Sequence, residues 1–195
     1  MNAHPAAASL RCFSMEALPR EAWKNGRGWT RTVASQEAGH LLRWRVSVAD
    51  ITAAGPFSRF DGLDRTAVMV RGAGLSLRGE AGLWQFDGPG SLAQFPGELA
   101  LHCDAPGVPT QLWNVMVQRG QAQAKLLIVE DDAVDLSPAP DVLVLALRGR
   151  FELALPGANS LAFYADECLH LQGLVATARI TPCEANSLLL VTTLR

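Results

Sequence analysis

The sequence predicts an all-β protein built from two related halves. Short apolar or alternating segments recur between Gly, Pro, Asp and Asn; a helical period is almost absent; and a distant internal repeat can be traced. The segments are Leu41–Ala49, Ala67–Leu77, Leu92–Phe95, Leu112–Val117, Ala124–Val129, Val142–Leu147, Phe151–Leu155 and Leu188–Leu194. Their lengths and the turn residues between them favour strands, and many short strands indicate a sandwich or barrel. Only Met15–Trp23 has a pattern that suits a short helix.

The repeat emerges when Arg71-Gly72 is laid on Arg148-Gly149, each pair following an apolar triplet. Phe86 then falls on Phe163 and Leu92 on Leu169, while Leu75 and Leu77 meet Leu153 and Leu155 after a one-residue slip. A repeat this long implies duplication of a whole sheet-forming unit rather than a solenoid. The expected halves are 1–120 and 121–195, with Asp131–Asp141, containing Pro138 and Pro140, as a connector. Polar constellations thin out in the second half, so a pocket is expected in the first.

Composition narrows the function classes. With 49% hydrophobic and 18% charged residues in 195, the chain has enough apolar surface to fold throughout. Its 17 Lys and Arg against 19 Asp and Glu form no run of either sign, which argues against nucleic acid as a partner. Cys12, Cys103, Cys168 and Cys183 lack a C-x-x-C spacing and are expected as free thiols. Met1–Leu10 has no cationic stretch ahead of an apolar one, and the longest apolar run, Val142–Leu147, falls far short of the roughly 20 residues of a membrane helix. The expectation is a cytoplasmic protein with no membrane partner.

His4, His40, His102 and His170 are scattered and form no ligand spacing, so no metal is predicted. No G-x-S-x-G elbow, phosphate loop or dinucleotide fingerprint occurs either, so neither a cofactor nor a catalytic set is predicted.

Polar and aromatic residues are concentrated instead in four first-half segments. Trp23-Lys24-Asn25-Gly26-Arg27-Gly28-Trp29-Thr30 is either a loop that bends Asn25 towards a ligand or a tight turn into a strand Trp29–Ala34. In Leu41–Ala49, alternation puts Trp44, Val46 and Val48 on one face and Arg43, Arg45, Ser47 and Ala49 on the other. That second face either lines a barrel, where Arg45 can fork a carboxylate, or meets water, the commoner case for a lone strand. Gly55–Arg65 is turn-rich yet carries Phe57 and Phe60; Asp61 and Asp64 can pair with Arg59 or Arg65, whereas an uncompensated Arg65 attracts an anion. Asn114 lies between Leu112 and Met116 on one strand face and needs partners if buried.

In order and spacing these segments resemble the HutD/Ves family. The matching residues are Trp23-Lys24-Asn25-Gly26 with Gly28 and Thr30, Trp44-Arg45 with Ser47 and Ala49, Gly55-Pro56-Phe57-Ser58 with Phe60, Gly62, Asp64 and Arg65, and Asn114-Val115-Met116. The resemblance implies a double cupin (bicupin) without the usual cupin metal ligands. It also implies a link to bacterial histidine utilisation and binding of a small acidic intermediate such as formylglutamate by an accessory or regulatory protein. The chain departs from the pattern at Arg27, where glycine is usual, at Pro89, and at Leu112-Trp113 before the asparagine.

The expected ligand site has Arg65 and Arg45 on ligand carboxylates, Asn25, Ser47 and Asn114 orienting polar groups, and Trp23 and Phe57 as apolar walls. Arg65→Ala is expected to abolish binding with little change in melting temperature. The rivals are a metal-independent isomerase or hydrolase using Asp61, Asp64 or His102 as proton carriers, and a protein that docks a partner through an exposed face around Trp113. Open sheet edges point to a homodimer.

Overall fold

A computed structural model describes residues 9–23 and 28–195. In chain order its strands are β1 (Ser9–Ser14), β2 (Glu21–Ala22), β3 (Gly28–Ala38), β4 (Leu41–Ile51), β5 (Gly55–Phe57), β6 (Leu63–Arg71) and β7 (Leu75–Gly79). There follow β8 (Gly82–Phe86), β9 (Leu92–Pro96), β10 (Leu101–Cys103), β11 (Thr110–Gln118), β12 (Ala124–Glu130) and β13 (Val134–Leu136). The chain ends with β14 (Ala139–Arg148), β15 (Arg150–Ala154), β16 (Leu161–Tyr164), β17 (Glu167–Leu174), β18 (Ala178–Pro182) and β19 (Leu188–Leu194). The only helical element among the described residues is a single 3-10 turn, Met15–Ala17.

The expected helix Met15–Trp23 therefore stops after one turn. Pro19 disfavours helical geometry at Leu18, and so short a segment cannot offset the cost of nucleation. Glu21 and Ala22 instead pair with Thr30 and Trp29. The expected segment Ala67–Leu77 is also two strands, because Gly72 and Gly74 between them take positive φ values of 130° and 146°.

The chain divides into two compact units, one of residues 18–123 and the other of 124–195 with the N-terminal segment up to Ala17. Strand pairing explains that boundary: β1 runs antiparallel to β17 from Ser9↔Gln172 to Ser14↔Glu167, so it joins the second unit although it precedes the first in sequence.

Each unit contains a larger and a smaller sheet; the small sheets match strand for strand and the large ones share four strands, with β2 and β3 added in the first unit and β1 in the second. The first unit has orders β2-β3-β4-β11-β6-β9 and β5-β10-β7-β8; the second has β1-β17-β14-β19-β12 and β13-β18-β15-β16. Reading β4 as β12, β11 as β19, β6 as β14 and β9 as β17 reproduces the large sheet, and β5, β10, β7 and β8 likewise map onto β13, β18, β15 and β16. Register refines the sequence alignment. Leu75 pairs with Phe86 where Phe151 pairs with Phe163, so Leu75 corresponds to Phe151 and Leu77 to Leu153; the slip runs opposite to the expected one. Leu92, 42% exposed, corresponds to Cys168, not to the buried Leu169.

One contact occurs twice. A Cβ on Gly72 would lie 2.5 Å from Thr110 Oγ1, and one on Gly149, whose φ is 95°, would collide with Ser187. Both glycines let the strand before them turn closely past the start of β11 or β19. Each unit packs its two sheets around its own apolar cluster, which includes Met69, Leu75, Leu77, Phe86 and Leu112 in the first. In the second the cluster includes Val142, Val144, Phe151, Leu153, Phe163 and Val191. Burying each of the larger side chains contributes about 1.5–3 kcal/mol.

Candidate functional site

The first unit keeps a cavity where the second is filled. Thr30 on β3, Arg45 and Ala49 on β4, Phe57 on β5, Arg65 on β6 and Asn114 on β11 line it, with Trp23, Ser58 and Phe60 from the loops. This inner concavity has room of only about 40 Å³ and is open on one side, where a wider vestibule of about 420 Å³, lined also by Glu21 and Ala22, continues outward. In the second unit Arg65 and Asn114 correspond by register to Val142 and Val191, both members of the apolar core. The duplication thus separates one polar interior from one apolar interior.

Alternation along β4 explains the wall. Arg45, Ser47 and Ala49 share a face, and the structure turns that face inward: Ser47 is 1% exposed, and Trp44, Val46 and Val48 opposite are buried too. The commoner solvent-facing reading for this strand is therefore overturned. The long β3 ladder along β4, from Gly28↔Ile51 to Ala38↔Leu41, covers the edge that a lone strand would expose.

Arg65 is 4% exposed and has no carboxylate partner among the described residues. Its Nη2 and Nε donate to Asn114 Oδ1 at 3.1 and 3.4 Å, and its Nη1 donates to the Ser58 carbonyl at 2.8 Å. The guanidinium carbon stands 4.6 Å from the Phe57 ring centroid and 5.2 Å from those of Phe60 and Phe95. Ring quadrupoles and neutral oxygens hold the cation without neutralising it. Burial first, and then the like charge of Arg45, lower its pKa to about 9. The predicted acids are elsewhere: Asp64 pairs with Arg119 at 2.7 Å, and Asp61 with Arg59 at 3.7 Å.

Arg45 adds a second cation to the same cavity. Its Nε and the Ser47 Oγ are buried polar atoms with no hydrogen-bond partner among the described residues. Ser47 lies directly opposite Asn114 in the ladder but does not itself line the cavity. The remaining polar groups have their acceptors in use. Thr30 Oγ1 accepts from Trp23 Nε1 at 2.7 Å, leaving its O–H to donate, and Asn114 Oδ1 is taken by Arg65, leaving its amide N–H groups. The polar side chains of the inner wall therefore present mainly donors, two of them charged.

Aromatic packing fixes the apolar side. Trp23 meets Phe57 edge to face at 6.5 Å, and Phe57 meets Phe95 at 6.5 Å. Of the seven predicted site residues, Trp23, Arg45, Phe57, Arg65 and Asn114 line the cavity and Ser47 lies on the same strand face; Asn25 falls outside the described residues. Thr30, Ser58 and Phe60 also line the cavity and were not among the predicted site residues, although all three lie within the motif segments. None of the predicted proton carriers Asp61, Asp64 and His102 lines the cavity. The Trp113 indole, expected on an exposed docking face, is fully buried.

Among the described residues no group of His, Cys, Asp or Glu could hold a metal ion. No helix among them is long and apolar enough to cross a membrane.

A family model described as HutD matches residues 15–188. In sequence the chain is 27% identical over 168 residues to an uncharacterized 21.2 kDa protein in the hutC 3′ region of Pseudomonas putida, an alignment covering 85% of this chain and 88% of that one. It is 26% identical over 123 residues to protein Ves of Citrobacter koseri, covering 62% of this chain and 64% of Ves. HutD from Pseudomonas fluorescens SBW25 superposes with a TM-score of 0.80 at 23% identity, over 96% of this chain and 100% of that one. A cupin 2 conserved barrel domain protein from Leptotrichia buccalis superposes with a TM-score of 0.65 at 10% identity, over 95% and 96% of the two chains. These superpositions establish the cupin fold that the strand duplication builds. With the family model spanning most of its length, the chain belongs to the HutD family.

Proposed function

We propose that the first unit binds a small carboxylate-bearing metabolite and that the chain acts as an accessory or regulatory protein, not as a catalyst. The observation that carries this reading is the donor-rich inner wall: Arg45 and Arg65 lie on it with no ion pair to a carboxylate among the described residues, Glu21 lining only the vestibule, and the nearby Thr30 and Asn114 acceptors are already in use. A carboxylate supplies the missing acceptors, and charge-assisted hydrogen bonds of this kind are the strong ones. The Trp23, Phe57 and Phe60 rings then cover the carbon skeleton.

Membership of the HutD family and the likeness to a protein in the hutC 3′ region support a role connected with histidine utilisation, and on that basis the proposed ligand is an acidic intermediate of histidine degradation, such as formylglutamate, bound in the cytoplasm. The inner wall includes no carboxylate, imidazole or thiol among the described residues, so a metal-independent isomerase or hydrolase would lack an evident proton carrier there. The test is a thermal-shift series with formylglutamate, formiminoglutamate, glutamate, urocanate and histidine. A ligand at about 100 times its Kd adds roughly 2.7 kcal/mol of stability. One acidic compound is expected to raise Tm and to be recovered unchanged; turnover, or no shift with any of them, overturns the reading.

A further inference from the structure

We propose that the outer edge of β12 pairs antiparallel with the same strand of a second copy of this chain. The internal duplication shows what the edge lacks. In the first unit the corresponding strand, β4, carries β3 along its outer side; in the second unit no strand among the described residues takes that place, and β12 ends the sheet order. The consequence falls on one residue. By register Ser47 corresponds to Leu127; Ser47 is 1% exposed, whereas Leu127 is 43% exposed.

The other edges of the large sheets are blunted. β9 ends in Pro96, and its Gln94 carbonyl accepts the Trp84 indole N–H at 3.2 Å. β1 carries the cationic Arg11, stacked on Phe13 at 5.4 Å, and β2 is two residues long. The centre of β12 instead runs Leu126-Leu127-Ile128-Val129, four residues with no proline, glycine or charge among them, the type of edge that recruits another strand.

Charge selects the partner and its direction. The exposed Lys125 opens β12, and the exposed Glu130, Asp131 and Asp132 close it. An antiparallel self-pairing sets the basic start of each copy beside the acidic end of the other, and its two-fold axis closes the assembly as a dimer. A parallel pairing would align like charges. The inference is independent of the ligand reading, since no cavity residue lies on β12.

Sedimentation equilibrium tests it with two charge variants, Lys125→Glu and Glu130→Lys/Asp132→Lys, leaving Asp131 intact because it accepts the Ser187 N–H. The wild type is expected to dimerise, with concentration-dependent amide protection confined to 124–130. Each variant alone should match the wild-type Tm at concentrations low enough for both to be monomeric and raise the dimer dissociation constant roughly tenfold, and mixing the two should restore association as a heterodimer. A monomeric wild type, a variant that dimerises as the wild type does, or a mixture that fails to associate overturns the proposal.

Discussion

Replacing Arg45 by Met should stabilise the empty protein and weaken its ligand affinity, two effects of opposite sign from one residue. In the empty cavity Arg45 lies near a second buried cation, and its Nε lacks a described partner. An unsatisfied buried donor costs about 1–3 kcal/mol, so removing it, while keeping apolar volume with Met, should recover an amount of that order. In the complex the same guanidinium contributes charge-assisted hydrogen bonds worth about 1.5–3 kcal/mol, and losing them weakens binding roughly 10- to 100-fold. Denaturant unfolding without ligand and calorimetric titration with ligand read the two effects separately. If Arg45→Met lowers stability and leaves affinity unchanged, Arg45 is a structural residue and the reasoning fails.

Three further predictions follow from named contacts. The expectation from sequence that Arg65→Ala leaves the melting temperature near wild type does not suit the packing of Arg65 against Phe57, Phe60 and Phe95. Arg65→Met should bind no anion yet be more stable than Arg65→Ala by about 2 kcal/mol, because Met fills the slot between the rings; equal unfolding midpoints would contradict this. The lowered Arg65 pKa of about 9 means that, as pH rises through 9, the folded protein releases a proton that the unfolded chain still holds. Wild-type stability relative to Arg65→Met should then rise above that pH while anion affinity falls; a flat difference up to pH 10 would argue against it. Gly149→Ala should destabilise by roughly 1–3 kcal/mol through the Ser187 collision and the positive φ, with affinity unchanged in a titration of the folded protein.

Much of the fold was legible because strand periodicity and the Arg-Gly repeat are local signals, and the repeat proved to mark a shared turn: Gly72 against Thr110 and Gly149 against Ser187. The slip was misjudged because Leu75, Leu77, Leu153 and Leu155 alternate identically, and only cross-strand partners fix which leucine matches which. The transfer of β1 to the second unit left no sequence signal, since strand exchange is decided by long-range pairing. Motif spacing singled out Arg45, Arg65 and Asn114, which the structure brings to one cavity. The inward face of β4 was not legible, because alternation tells which residues share a face and not which face is covered. Nor could composition show that the nearby acids, Asp61 and Asp64, take Arg59 and Arg119 and leave Arg65 without a carboxylate.

The most direct measurement is a calorimetric titration of the protein with formylglutamate and, separately, with its uncharged diamide. A donor-rich cavity with two unneutralised arginines predicts saturable binding of the diacid, no loss of it over time, and no measurable heat from the diamide. Equal binding of the diamide, or no binding of any carboxylate, would contradict the account.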